Sequence, residues 1–186
     1  MEFIPRTTAP SASDLHWIKR GYGFHGYNRC IIINRTTGSV LPNCTGYAWG
    51  RFLEENNLTD CKLSRANGEL WYSNTSDGYA RGRTPKLGAV ICWHSTRSGG
   101  HVAIVEEIKS NGDIVCSNSA YSGQRFFLRT LKAPRYYFGS AYTFQGFIYP
   151  PNEFDPPTPP EPPTPSKKKR TKFPWVLYAR KLRNNR

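Results

Sequence analysis

The chain lacks a long apolar run. No stretch of its 186 residues approaches the roughly 20 consecutive apolar residues that a membrane-spanning helix requires. Residues 1–6 also lack the basic and then apolar pattern of a secretory signal. We therefore expect a protein that is synthesised in the cytoplasm and that needs another component for its release if it acts outside the cell.

The chain also lacks a Cys-x-x-Cys spacing, which argues against a structural zinc site. An odd number of cysteines without a secretory signal predicts reduced thiols, one of them reactive and the others small core residues. The five positions are Cys30, Cys44, Cys61, Cys92 and Cys116.

Acidic residues are scarce, with 13 Asp and Glu against 26 Lys and Arg, and the excess charge is concentrated at one end. Residues 167–186 contain nine Lys or Arg and no acid, and residues 150–166 contain nine of the 15 prolines. Such a proline content predicts an extended spacer. We therefore divide the chain into a domain (1–149), a Pro-rich linker (150–166) and a basic-aromatic tail (167–186). The tail is expected to be disordered, either solubilising or able to bind anionic polymers, a membrane surface or nucleic acid.

The order of the predicted elements indicates an α+β domain, with helices packed on an antiparallel sheet. Asn43 is a favourable N-cap, and apolar residues recur after it at helical spacing. A second helix is expected over 63–72. Strands are expected over 87–93, 101–108, 114–118, 125–131 and 146–149, and an Asn-Gly-Asp turn at 111–113 joins two of them.

Three residues could support nucleophilic catalysis. Cys44 falls in the first turn of the predicted helix, where the helix dipole favours a thiolate and the Cys44 N–H could bind an oxyanion. His101 follows two glycines at the start of a strand and could take the thiol proton. Asn118 lies on the paired strand and could orient the imidazole. The alternatives are a buried structural cysteine and, for the base, His94.

Four segments in this order resemble the CHAP family, the cysteine, histidine-dependent amidohydrolase/peptidases of bacterial cell-wall metabolism and phage lysins. They are NCTGYAWGR (43–51), PKLGAVICW (85–93), GHVAIVE (100–106) and GFIY (146–149). The resemblance implies a papain-like fold in which Cys44 is the nucleophile, His101 the base and Asn118 the third member. Asn43 stands where the family usually has Gln and is a candidate oxyanion residue. Asn118-Ser119-Ala120 stands where the family often has Glu-x-Asn.

The resemblance further implies an enzyme that cleaves peptidoglycan amides without a metal or another cofactor, as an N-acetylmuramoyl-L-alanine amidase or an endopeptidase. The groove would be lined by Tyr47, Trp49, Trp93 and Tyr121. We expect a monomeric phage endolysin or virion-associated lysin that reaches the wall after holin action or in the phage particle. Its tail would bind anionic wall polymers or a membrane surface, and no specific nucleic acid. The alternatives are a papain-like proteinase on protein substrates and a basic nucleic-acid-binding or structural phage protein.

Overall fold

The computed structural model of the protein describes residues 1–19, 23–24, 26–30, 41–120 and 126–155. Of the predicted features, Tyr121, most of the linker and the whole of the tail lie outside these ranges. The boundaries that we predict for the linker and tail therefore stay predictions.

Helix α1 spans Cys44–Glu55 and begins where the sequence predicts. The Asn43 side chain caps it by accepting a hydrogen bond from the Gly46 N–H, which satisfies a backbone donor that the first turn leaves free. All helix residues from 44 to 53 are buried, so the helix must be covered on more than one side. The sheet covers one side, and the carbonyl of His16 and the ring of Trp17 lie against Gly50 on another.

Six antiparallel strands form the main sheet, and two further strands pair with each other. The small pair is β1 (Ile18–Lys19) and β2 (Gly23–Phe24). The main sheet contains β3 (Arg81–Gly82), β4 (Val90–Ser95), β5 (His101–Ile108), β6 (Ile114–Asn118), β7 (Phe127–Leu131) and β8 (Tyr142–Ile148). Its order is β3-β8-β4-β5-β6-β7. The predicted bounds of β5 and β6 are confirmed, whereas β4 begins three residues later than predicted and β8 four residues earlier.

Both faces of the sheet are buried, which accounts for the nearly continuous apolar sequence of β4. Val90 and Cys92 face α1, together with Val102 and Ile104 of β5. The alternate residues of both strands pack on the opposite face in a cluster with Tyr136 and Phe147. The α+β architecture is therefore confirmed, with one helix on an antiparallel sheet.

The second predicted helix, at 63–72, is wrong. The structure has only a 3₁₀ turn over Gly68–Leu70 there and another over Thr75–Asp77. Gly68 is a weak helix former, and the Glu69 N–H donates to the carbonyl of Gly99 in another loop instead of to its own segment. Within the described ranges α1 is the one α-helix, and none of the helices there is long and apolar enough to cross a membrane.

A buried ion pair joins α1 to β5. Arg51 donates from Nε and Nη2 to the two carboxylate oxygens of Glu106, at 2.9 Å each. Glu106 also accepts from Ser117 Oγ at 2.6 Å and from the Arg6 N–H at 2.8 Å. Because planar bidentate pairing fixes distance and orientation together, this contact holds the helix that carries Cys44 against the strand that carries His101.

Candidate active site

A cleft of about 480 Å³ opens where the N-terminus of α1 meets the start of β5. Cys44 and His101 both line it. Its opposite wall is formed by β7, by the segment before β8 and by the first residue of β8, through Phe127, Arg129, Phe138 and Tyr142. The structure therefore brings the predicted nucleophile and the predicted base into one solvent-accessible site.

Cys44 is the first residue of α1, and its thiol is nearly covered. Burial raises the pKa of this thiol, while the backbone N–H groups of Val102, Thr45 and Cys44 itself act in the opposite direction. The loss of water therefore acts against the thiolate that we expect the helix terminus to favour. The resting group is a thiol that needs a base to become nucleophilic.

His101 is held by a hydrogen bond to Asn118, as the sequence predicts. Its Nε2 lies 3.0 Å from Asn118 Oδ1, and the Asn118 amide nitrogen donates to the carbonyl of Cys116 at 2.9 Å. The second contact fixes the amide with its oxygen toward the imidazole, and an amide oxygen only accepts. Nε2 must therefore carry the proton, which leaves Nδ1 as the acceptor of the neutral ring.

The imidazole of His101 is packed among aromatic rings. It stacks on Phe138 with centroids 4.3 Å apart and planes 20° apart, and the Trp93 ring lies at 5.7 Å. Burial lowers the pKa of His101 to about 4, the hydrogen bond that the ring donates to Asn118 opposes this change, and the charge of Arg129 adds to it. The ring is therefore neutral at physiological pH and able to accept a proton.

A tight turn places His101 at the mouth of the cleft. Gly100 adopts a φ of +76°, and a Cβ there would collide with the backbone nitrogen of Glu69 and the carbonyl oxygen of Trp93. Only glycine fits both the conformation and the space. The turn ends directly at His101, which pairs with Trp93 across β4 and β5.

Asn43 lies at the cleft, but its oxygen belongs to the helix cap. Oδ1 accepts from Thr45 Oγ1 at 2.9 Å and from the Gly46 N–H at 3.5 Å. Only the Asn43 amide nitrogen is therefore suited to donate to an oxyanion. His94, the rival base, is exposed outside the cleft lining, with Nδ1 3.8 Å from a carboxylate oxygen of Glu69.

The predicted aromatic lining needs correction. Tyr47, Trp49 and Trp93 are at most 1% exposed and belong to the core, while Tyr121 lies outside the described residues. These side chains face inward because α1 is buried all round and β4 is covered on both faces. Phe127, Phe138 and Tyr142 take their place in the wall of the cleft.

The sequence reasoning missed Arg129. It lies in β7, where residues 127, 129 and 131 are more buried than residues 128 and 130. This alternation puts Arg129 on the same side as Phe127. The sequence gives no sign of it, because apolar Leu128 is exposed and the charged Arg129 faces the cleft.

Within the described ranges, no three His, Cys, Asp or Glu side chains are grouped so that they could hold a metal ion. The same part of the chain includes all five cysteines, and each is a free thiol.

Residues 34–120 match the family model of the CHAP domain. This chain contains a CHAP domain. The CHAP segment includes Cys44, His101 and Asn118, and the strands after it complete the sheet and the far wall of the cleft.

This chain is similar to parts of two staphylococcal proteins. It is 32% identical over 108 residues to the "Probable autolysin LDP" of Staphylococcus aureus, covering 53% of this chain and 34% of that protein. The chain thus spans about a third of the length of this relative. A crystal structure of an N-acetylmuramoyl-L-alanine amidase from Staphylococcus aureus superposes with a TM-score of 0.43 and 23% identity, over 57% of this chain and 31% of that one.

Proposed function

We propose that this CHAP domain hydrolyses an amide bond of bacterial peptidoglycan, as an N-acetylmuramoyl-L-alanine amidase or an endopeptidase. The observation that carries the proposal is the shared cleft, in which Cys44 begins a helix and His101 has its tautomer set by Asn118. The similarity to a protein named as an autolysin supports the wall polymer as the substrate.

The first half of the reaction forms an acyl-enzyme. Nδ1 of His101 takes the thiol proton as Cys44 Sγ bonds to the amide carbonyl carbon. The negative oxygen of the tetrahedral intermediate faces the backbone N–H of Cys44 and the amide nitrogen of Asn43. Collapse breaks the C–N bond, and the imidazolium returns its proton to the leaving amine. The product of this half-reaction is a thioester on Cys44.

The second half releases the acid. Neutral His101 takes a proton from water, whose oxygen attacks the thioester carbonyl carbon. The C–S bond breaks, a carboxylic acid leaves, and the proton returns from the imidazolium to Sγ. Throughout both halves the Asn118 oxygen stabilises the imidazolium by accepting from Nε2.

The remainder of the chain extends this proposal. The Pro-rich linker 150–166 would tether the domain to the tail 167–186, which would bind anionic wall polymers and raise the local concentration of the enzyme. The assignment to a phage lysin that works as a monomer stays a prediction of the sequence, which neighbouring genes and solution mass would test.

The test is loss of turbidity of purified Gram-positive peptidoglycan in reducing buffer. Wild type should clear the suspension, and Cys44→Ala should be slower by about 10⁴-fold or more, because a missing nucleophile removes the acyl-enzyme route. Cys61→Ala is the matched control, since that thiol is free and lies outside the cleft. End-group analysis of the products then identifies the bond.

Clearing by Cys44→Ala at the wild-type rate would refute the assignment of the nucleophile. Cleavage of casein without any clearing of several wall types would replace the proposal by a proteinase acting on proteins.

A further inference from the structure

The cleft contains one charged group that the proposed mechanism does not use. Among the described residues that line the cleft, Arg129 is the only side chain with a permanent charge, and no Asp or Glu accompanies it. Arg129 also forms no ion pair within the described part of the chain, unlike Arg6, Arg51 and Arg81. A partly buried cation without a carboxylate partner is an available site for an anion.

The position of Arg129 is defined by an aromatic ring. Its guanidinium carbon lies 4.4 Å from the centroid of Phe138, and Phe138 stacks on the His101 imidazole at 4.3 Å. A guanidinium over the face of a ring does not spend its N–H groups on that contact, so they remain available to an acceptor. Those groups can pair in parallel with the two oxygens of a carboxylate. Through the shared contact with Phe138, such an anion would be bound close to the reacting amide.

We propose that Arg129 forms a subsite for a free carboxylate of the substrate, adjacent to the amide that Cys44 attacks. This inference rests on the proposed peptidoglycan hydrolysis and specifies its substrate. Peptidoglycan stem peptides link glutamate through its side-chain carboxyl, which leaves an α-carboxylate that is either free or amidated. The Arg129 subsite selects the free form, because an amide neither carries the charge nor accepts two parallel hydrogen bonds.

The experiment compares two peptidoglycan preparations that differ only in this group, with stem glutamates free or amidated. Initial rates of bond cleavage give kcat/KM for the wild type, Arg129→Gln, Arg129→Lys and Arg83→Gln. Arg83 is the matched control because its guanidinium also lies over a ring, 4.8 Å from Phe144, but outside the cleft lining.

The kcat/KM of the wild type should be roughly tenfold or more higher on the preparation with free stem glutamates, as expected for one charge-assisted pair. Arg129→Gln should cleave both preparations at similar rates, Arg129→Lys should retain part of the preference, and Arg83→Gln should retain all of it. Equal rates of the wild type on both preparations, or an unchanged preference in Arg129→Gln, would overturn the subsite. Cleavage of neither preparation by folded wild type would instead refute the proposed function, and the subsite with it.

Discussion

The low pKa of His101 predicts a specific dependence of stability on pH. The pKa of this side chain is about 4 in the folded protein against an ordinary value of 6.5. Between these two values the unfolded chain binds a proton that the folded protein does not. Stability must therefore fall as the pH drops from about 6.5 toward 4, and the loss from this group ends below 4.

The magnitude follows from the difference between the two pKa values. At about 1.4 kcal/mol for each pH unit, His101 should remove about 3 kcal/mol of unfolding free energy over that interval. Its side chain is covered by Phe138 and Trp93, so solvent screening reduces this figure little. Replacement by Gln removes the titration while keeping a group of similar size that can bond to Asn118.

Urea unfolding from pH 4 to pH 8 measures the effect as the difference between wild type and His101→Gln. The carboxylates titrate in both proteins, so their contributions to the pH dependence of stability cancel in this difference. It should change by about 3 kcal/mol in favour of the wild type as the pH rises through the interval. A difference between wild type and His101→Gln that does not change with pH would refute the burial argument.

Two carboxyl groups near Arg51 should respond in opposite ways to replacement by Gln, measured by urea unfolding at pH 7. Glu106→Gln should destabilise the protein by about 3 kcal/mol, because it leaves the buried Arg51 without its bidentate partner; an unchanged midpoint would contradict the role of this pair. Glu55→Gln should stabilise the protein, because burial raises the pKa of Glu55 well above its ordinary value. As the pH rises above about 4.5, the unfolded chain gives up the Glu55 proton more readily than the folded protein does, so this side chain lowers the free energy of unfolding. Gln does not titrate and has no such effect. A lower midpoint for Glu55→Gln would show that its charge is needed.

Local sequence signals predicted the elements that carry the three proposed catalytic residues. The Asn43 cap marks the start of α1, and the Asn-Gly-Asp turn sets the hairpin in which His101 and Asn118 meet. The helix cap and the turn each depend on a few neighbouring residues, so both can be predicted from the local sequence. The hydrogen bond between the two side chains also depends on a β-bulge between Val105 and Glu107, which shifts the register by one residue and brings Asn118 to the face of His101, and which no local signal predicts.

Features that depend on distant packing were not predictable in this way. The segment at 63–72 is held by the loop before His101, through the bond from Glu69 to Gly99, and not by its own helical propensity. The pKa of Cys44 is raised by the residues that cover the helix terminus, and the local sequence does not specify which residues these are. The aromatic wall comes from β7 and the loop before β8, whose approach to α1 no local pattern specifies.

The closeness of Arg129 to His101 couples substrate binding to proton affinity. The Arg129 charge contributes to the low pKa of the imidazole, so a carboxylate that neutralises this charge would make the ring a stronger base. Thermodynamic reciprocity requires the converse, that protonation of the ring strengthens the binding of the carboxylate. A substrate anion held there would thus increase the basicity of His101 when the thiol proton has to be removed, and would stabilise the imidazolium until that proton reaches the leaving amine.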